Sequence, residues 1–251
     1  NALPAYVQPY LIGTSFKDIE GLGHVRGQVD VDAGLPSRAA AIRARDRMMF
    51  GMLKSLGISP GQEFKPDARQ ARILTEAAKT GDLMARTIAY EKRFEGATVY
   101  PGKQWEYAVK FDLNQEDPEQ TRVQFDERAS WFYEAIGMSA GMQGRIVGFG
   151  QVYLETSKDK DGNWLDGGKT YKMRVEPNPP VRQFWSITLY DNLTRGPLIT
   201  DQGAADLSSR KPDLVTNADG SVDVYFGPER PAGATNWIKT TAGKGWFPYF
   251  R

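Results

Sequence analysis

The strongest constraint on this fold is a series of short stretches in the second half that alternate apolar and polar residues, divided by turn residues with no helical pattern between them. Tyr171, Met173 and Val175 alternate with Lys172, Arg174 and Glu176, the signature of a strand with one buried and one wet face. Comparable strands are expected at 147–155, 170–176, 183–191, 197–200, 221–226 and 236–238, with turns at DKDG, PNPP, NADG and GPERP. Upstream, Trp105, Tyr107, Val109 and Phe111 alternate in the same way. Many short strands without intervening helices point to antiparallel sheets packed face to face, not to a parallel α/β sheet.

The first half reads differently. Residues 1–35 are Gly-rich and weakly patterned, with one short extended piece at 6–12. Ser37 then offers an N-cap, Ile42, Met49, Leu53 and Leu56 recur at helical spacing, and Gly57 supplies a stop, so a helix is expected over 37–56. Pro66-Asp67 opens a second helix bearing Ile73, Leu74 and Ala77 and closing at Gly81, and Asp82 caps a third that runs to about Phe94. Ala129, Phe132, Tyr133 and Ile136 predict one more helix over 124–137. The expected fold is therefore α+β: an N-terminal segment and helical subdomain (1–95), then an antiparallel β-sandwich (96–251).

Composition excludes more chemistry than any motif supplies. There is no Cys, and the single His is His24, so thiolate-rich zinc, iron–sulfur, disulfide and thiol-nucleophile sites are ruled out. With 32 Lys+Arg against 31 Asp+Glu, the chain has no global field for nucleic acid, and the arginines at 38, 43, 45 and 47 read as a polar helix face. No stretch approaches a membrane span, and the first residues lack the basic and apolar regions of a signal peptide.

The run DKDGNWLDGGKTYKMRVEPNPPVRQFWSITLYD (159–191), then NADGSVDVYFGPERP (217–231) and Asn236-Trp237, resembles the C-terminal half of a bacterial family with paired domains of unknown function 1254 and 1214. RDRMMFGMLKSLGISPG resembles the helical linker of that family. The resemblance implies a jelly-roll-like sandwich, frequent export, and hence a periplasmic or secreted protein. It implies no reaction. The N-terminal sandwich of the family does not precede the helices here, and the sequence stops at Phe250-Arg251 where relatives continue. Either the chain is a fragment of a longer protein or its partner domain lies on another polypeptide, and the expected partner is a companion sandwich domain or a second copy of the chain.

Two surface candidates emerge. Asp159, Asp161, Asn163 and Asp166 crowd four oxygen-bearing side chains onto a Gly-containing turn, the donor type that calcium or magnesium takes, although a plain Asp-Gly hairpin accounts for the same residues and no resident cofactor is expected. Among six tryptophans, Trp105 and Trp185 belong to packed strands, whereas Trp164 at a polar turn and Trp237 beside Asn236 are the candidates for ligand contact. His24 has no nucleophile elbow near it, and Gly141, Gly144, Gly148 and Gly150 follow a helix instead of preceding one, the reverse of a phosphate loop. The leading expectation is an exported module that binds a carbohydrate-like ligand or docks on a companion domain. The alternative is a hydrolase using carboxylates, with or without a divalent cation.

Overall fold

The computed structural model describes residues 47–59, 62–108, 119, 122–135 and 152–251. The extended piece at 6–12, the start of the first helix (37–46), His24, the 141–150 glycines and the outer parts of the strands expected at 105–111 and 147–155 lie outside those residues. Two compact units are present. One holds the described residues between 47 and 91 and between 119 and 135; the other holds 92–108 and 152–251.

In the first unit, α1 (Arg47–Ser55) ends at Gly57, whose φ of 78° lets its N–H reach back to the Lys54 carbonyl. α2 (Ala68–Tyr90) starts where expected, the Asp67 carboxylate accepting the Gln70 N–H at 2.7 Å. The two helices expected on either side of Gly81 are, however, one. A glycine inside a helix costs only about 1 kcal/mol relative to alanine, and Asp82, expected as a cap, instead pairs with Arg86 one turn along at 3.3 Å. α3 (Phe125–Ala135) packs on α2, with Tyr90 and Tyr133 edge to face at 6.4 Å. No helix among the described residues is long and apolar enough to cross a membrane.

The second unit contains β1 (Glu106–Tyr107), β2 (Leu154–Glu155), β3 (Tyr171–Val175), β4 (Ser186–Asp191), β5 (Asp206–Ser208), β6 (Val222–Gly227), β7 (Trp237–Lys239) and β8 (Trp246–Phe250). They form a sheet ordered β1-β2-β8-β4-β5 and a second ordered β3-β6-β7. Alternation works as expected in β4, where Ile187 and Leu189 are buried between half-buried neighbours, and in β6, where Val222, Val224 and Phe226 point inward. Together with Leu207, Ile238 and Trp246 they make one core to which both sheets contribute. The chain is thus α+β, with helices and two sheets.

Three expectations change. The stretch at 197–200 is no strand: a single bridge joins Pro197 to Tyr190, and Ile199 is exposed. Pairing is not wholly antiparallel, because β7 lies parallel to β6. The connecting loop is drawn in by its own side chains, Arg230 donating to the Ala234 and Thr235 carbonyls and Asn236 bonding the backbone of Asp223, so the chain re-enters in the same direction without a helix. Third, β5 and β8 carry no alternation signal that marks them. β8 is central and covered on both faces, so its WFPYF reads as a continuous apolar run.

Pro248 sits inside that central strand because of register. Ser186 and Arg251 exchange both backbone hydrogen bonds, so Leu189 and Pro248, three positions further in, form a non-hydrogen-bonded pair. The proline nitrogen therefore faces β2, whose pairing with β8 covers only residues 249 and 250.

Candidate functional site

The 159–166 loop is a tight hairpin. Lys158 and Trp164 are bridged, Asp159 and Asn163 are joined by an N–H to carbonyl bond of 2.8 Å, and Gly162 has a φ of 81°. One oxygen of Asp159, Oδ1, accepts the N–H groups of Asp161 and Asn163, both at 2.9 Å. The Asn163 N–H in particular holds the Asp159 carboxyl below its ordinary pKa, against the opposing effect of desolvation. Asp161 pairs with Lys160 at 2.7 Å, and Asp166 caps the next turn through the Gly168 N–H at 2.8 Å. The structure thus brings Asp159 and Asn163 together and gives Asp161 and Asp166 other partners. Among the described residues no group of three or more His, Cys, Asp or Glu side chains is placed to hold a metal ion.

The indole of Trp164 is 51% exposed, and the Lys158 ammonium lies 4.9 Å from its ring centroid. Trp237 is half-buried, its N–H donating to the Gly227 carbonyl at 3.1 Å. Asn236 is buried: its amide accepts from Val215 N–H and donates to the Val215 and Asp223 carbonyls, so it ties three backbone segments together and offers a ligand little. Of the three residues expected to contact a ligand, Trp164 is the most exposed.

A second constellation has no counterpart in the sequence reading. Register places Glu106, Glu155, Tyr249 and Thr188 side by side across β1, β2, β8 and β4, on the face opposite Trp246 and the core. The Glu155 carboxylate is 3% exposed; its Oε1 takes the ammonium of Lys92, itself 1% exposed. Its Oε2 lies 3.9 Å from Nη2 of Arg195, which is 9% exposed. That same Nη2 donates to the Tyr249 hydroxyl at 3.1 Å, and the guanidinium stacks 4.3 Å from the Phe247 ring centroid. Tyr190 lies 5.5 Å from Phe247 and 5.1 Å from Tyr249, and Tyr153 lies 6.2 Å from Tyr249, which completes an aromatic patch around the charges.

Arg195 is aimed by a strained turn. Its own φ is 58°, and the turn is held by Asp191, whose Oδ1 accepts the N–H groups of Leu193 (2.8 Å) and Thr194 (2.9 Å). Burial pushes the Asp191 carboxyl up, but those two N–H groups and the Lys244 ammonium at 3.4 Å outweigh it and hold the carboxyl below the ordinary range. No local motif marks this cluster, since its charges stand at positions 92, 155 and 195; the one trace in the sequence is the aromatic run that becomes β8.

No curated protein matches the sequence. Among solved structures, the VPA0106 protein from Vibrio parahaemolyticus is 19% identical with a TM-score of 0.41, over 82% of this chain and 46% of that one. An uncharacterized protein from Burkholderia cenocepacia is 12% identical with a TM-score of 0.34, over 94% of this chain and 46% of that one. The chain spans about half the length of each. The β-rich part is more specific: residues 150–251 match the model of the family described as "Protein of unknown function (DUF1214)".

Proposed function

We propose that this chain is an exported, non-enzymatic binding module whose two sheets form a jelly-roll-like sandwich and whose 158–164 hairpin presents Trp164 to a carbohydrate-like ligand. The observation that carries this reading is the half-exposed indole on a hairpin stiffened by Asp159. A half-exposed indole can cover the C–H surface of a sugar ring, and a nearby ammonium can donate to its hydroxyls. A companion domain of the 1254 type belongs to the same proposal, as the partner beside which the module works.

Calorimetric titration with a panel of neutral oligosaccharides tests it. Saturable binding is expected, with Trp164→Ala weakening it about tenfold or more at unchanged melting temperature, since the side chain lies at the surface. A panel without binding, or a Trp164→Ala variant that binds as tightly as wild type, removes the proposal. Turnover of ester, phosphate or glycoside substrates would replace it with the hydrolase reading.

A further inference from the structure

We infer that α1 is an interfacial helix that lies on an anionic lipid surface. Met48 and Met52 stand one turn apart, Leu56 follows just past the last turn, and Met49 neighbours Met52 on the same side. Met48 is 63% exposed and Met52 56%, Met49 and Leu56 are exposed with them, and no residue of α1 is buried. The helix therefore holds a stripe of large apolar side chains in water. Gln70 ties this stripe to a folded unit, its side-chain amide donating to the Leu56 carbonyl from the first turn of α2.

The charge around the stripe selects the occupant. Residues 37–56 carry Arg38, Arg43, Arg45, Arg47 and Lys54 against Asp46 alone, in a chain whose total charges nearly cancel. Helical geometry puts Arg47 and Lys54 on the side of α1 away from Met52, and Arg69 and Arg72 are exposed at the start of α2. Among the described residues none of these four cations has an ion-pair partner, whereas the carboxylates of the same stretch are committed. Glu63 pairs with Lys65, Glu76 with Lys79 and Asp82 with Arg86, and Asp67 caps α2. A second copy of the chain would set unpaired cations against unpaired cations, and nucleic acid would take the cations but leave the methionines in water. An anionic lipid surface takes both, its headgroups attracting the basic side and its acyl boundary accepting the apolar one. The inference uses no residue of the Trp164 hairpin, so it and the proposed ligand site fail separately.

Co-sedimentation of the whole chain with lipid vesicles is the test. With phosphatidylcholine containing about 30% phosphatidylglycerol, saturable binding is expected, about tenfold or more tighter than to phosphatidylcholine alone and falling steeply toward about 0.5 M NaCl. Met48→Gln with Met52→Gln is expected to weaken it about tenfold or more, Arg47→Gln with Lys54→Gln to narrow the preference for anionic lipid, and Trp164→Ala to leave it unchanged. All four substituted side chains of α1 are exposed, so the helical circular dichroism is expected to persist. If the methionine variant loses that signal, the Arg47 and Lys54 variant decides, and an undiminished preference for anionic lipid overturns the inference. It is also overturned by no binding to anionic vesicles, by equal binding to neutral ones, or by a folded methionine variant with wild-type affinity. A wild-type dimer that the methionine substitutions make monomeric, or binding to duplex DNA but to no vesicle, assigns the face to another occupant and overturns it as well.

Discussion

At the scale of single residues, the Lys92, Glu155 and Arg195 group is where a small change is expected to cost most. Ions this deeply buried gain most from their partners while all are present, and removing one leaves the others with less compensation. Glu155→Ala is expected to lower the unfolding free energy by about 3–5 kcal/mol, read from urea denaturation. The turn that aims Arg195 adds a pH dependence. Because Asp191 has a depressed pKa in the folded state, its contribution to stability is complete above the unfolded value of about 4 and is lost as pH falls through the lower, folded value. Asp191→Asn is therefore expected to be less stable near neutral pH and to show a shallower further loss on acidification, measured as denaturation midpoints from neutral pH down to about 2.5.

At the scale of elements, α2 shows how local signals mislead at a boundary yet succeed at a start. The start of the helix at Pro66-Asp67 was legible because it is set within four residues, where the Asp67 carboxylate takes the Gln70 N–H. Gly81 looked like a stop by the same local logic, but helix termination also depends on whether packing continues, and α2 keeps its contact with α3. A Cβ at position 81 would meet nothing within 4 Å. Gly81→Ala is thus expected to stabilise the first unit by about 0.5–1 kcal/mol, visible as a raised thermal midpoint. The strands divide in the same way. Those with one wet face, β3 above all, were legible from alternation, whereas β5 was too short and β8 too uniformly apolar to declare themselves.

At the scale of the whole β-rich unit, the last strand holds the five-stranded sheet together. β8 pairs with both β2 and β4, Trp246 packs against Tyr171 and Phe226 of the other sheet, and Phe247 is completely buried. Deleting residues 246–251 is expected to abolish cooperative unfolding and the near-ultraviolet circular dichroism of the aromatic core while leaving the helical signal of the first unit. Retention of a sharp transition would mean that the two sheets do not depend on their shared core.

The sequence by itself determined what is decided within a few neighbouring residues: the helix start at Asp67, the stop at Gly57, the Asp159 hairpin, the inward and outward faces of β3, β4 and β6, and the absence of thiol chemistry. Tertiary structure alone decided the parallel entry of β7, the central place of β8 and the meeting of Lys92, Glu155 and Arg195 on one sheet face. The physical reason is range. Turn chemistry and side-chain alternation are written in local backbone preference, whereas a buried charge cluster exists only once strand register has brought distant positions side by side.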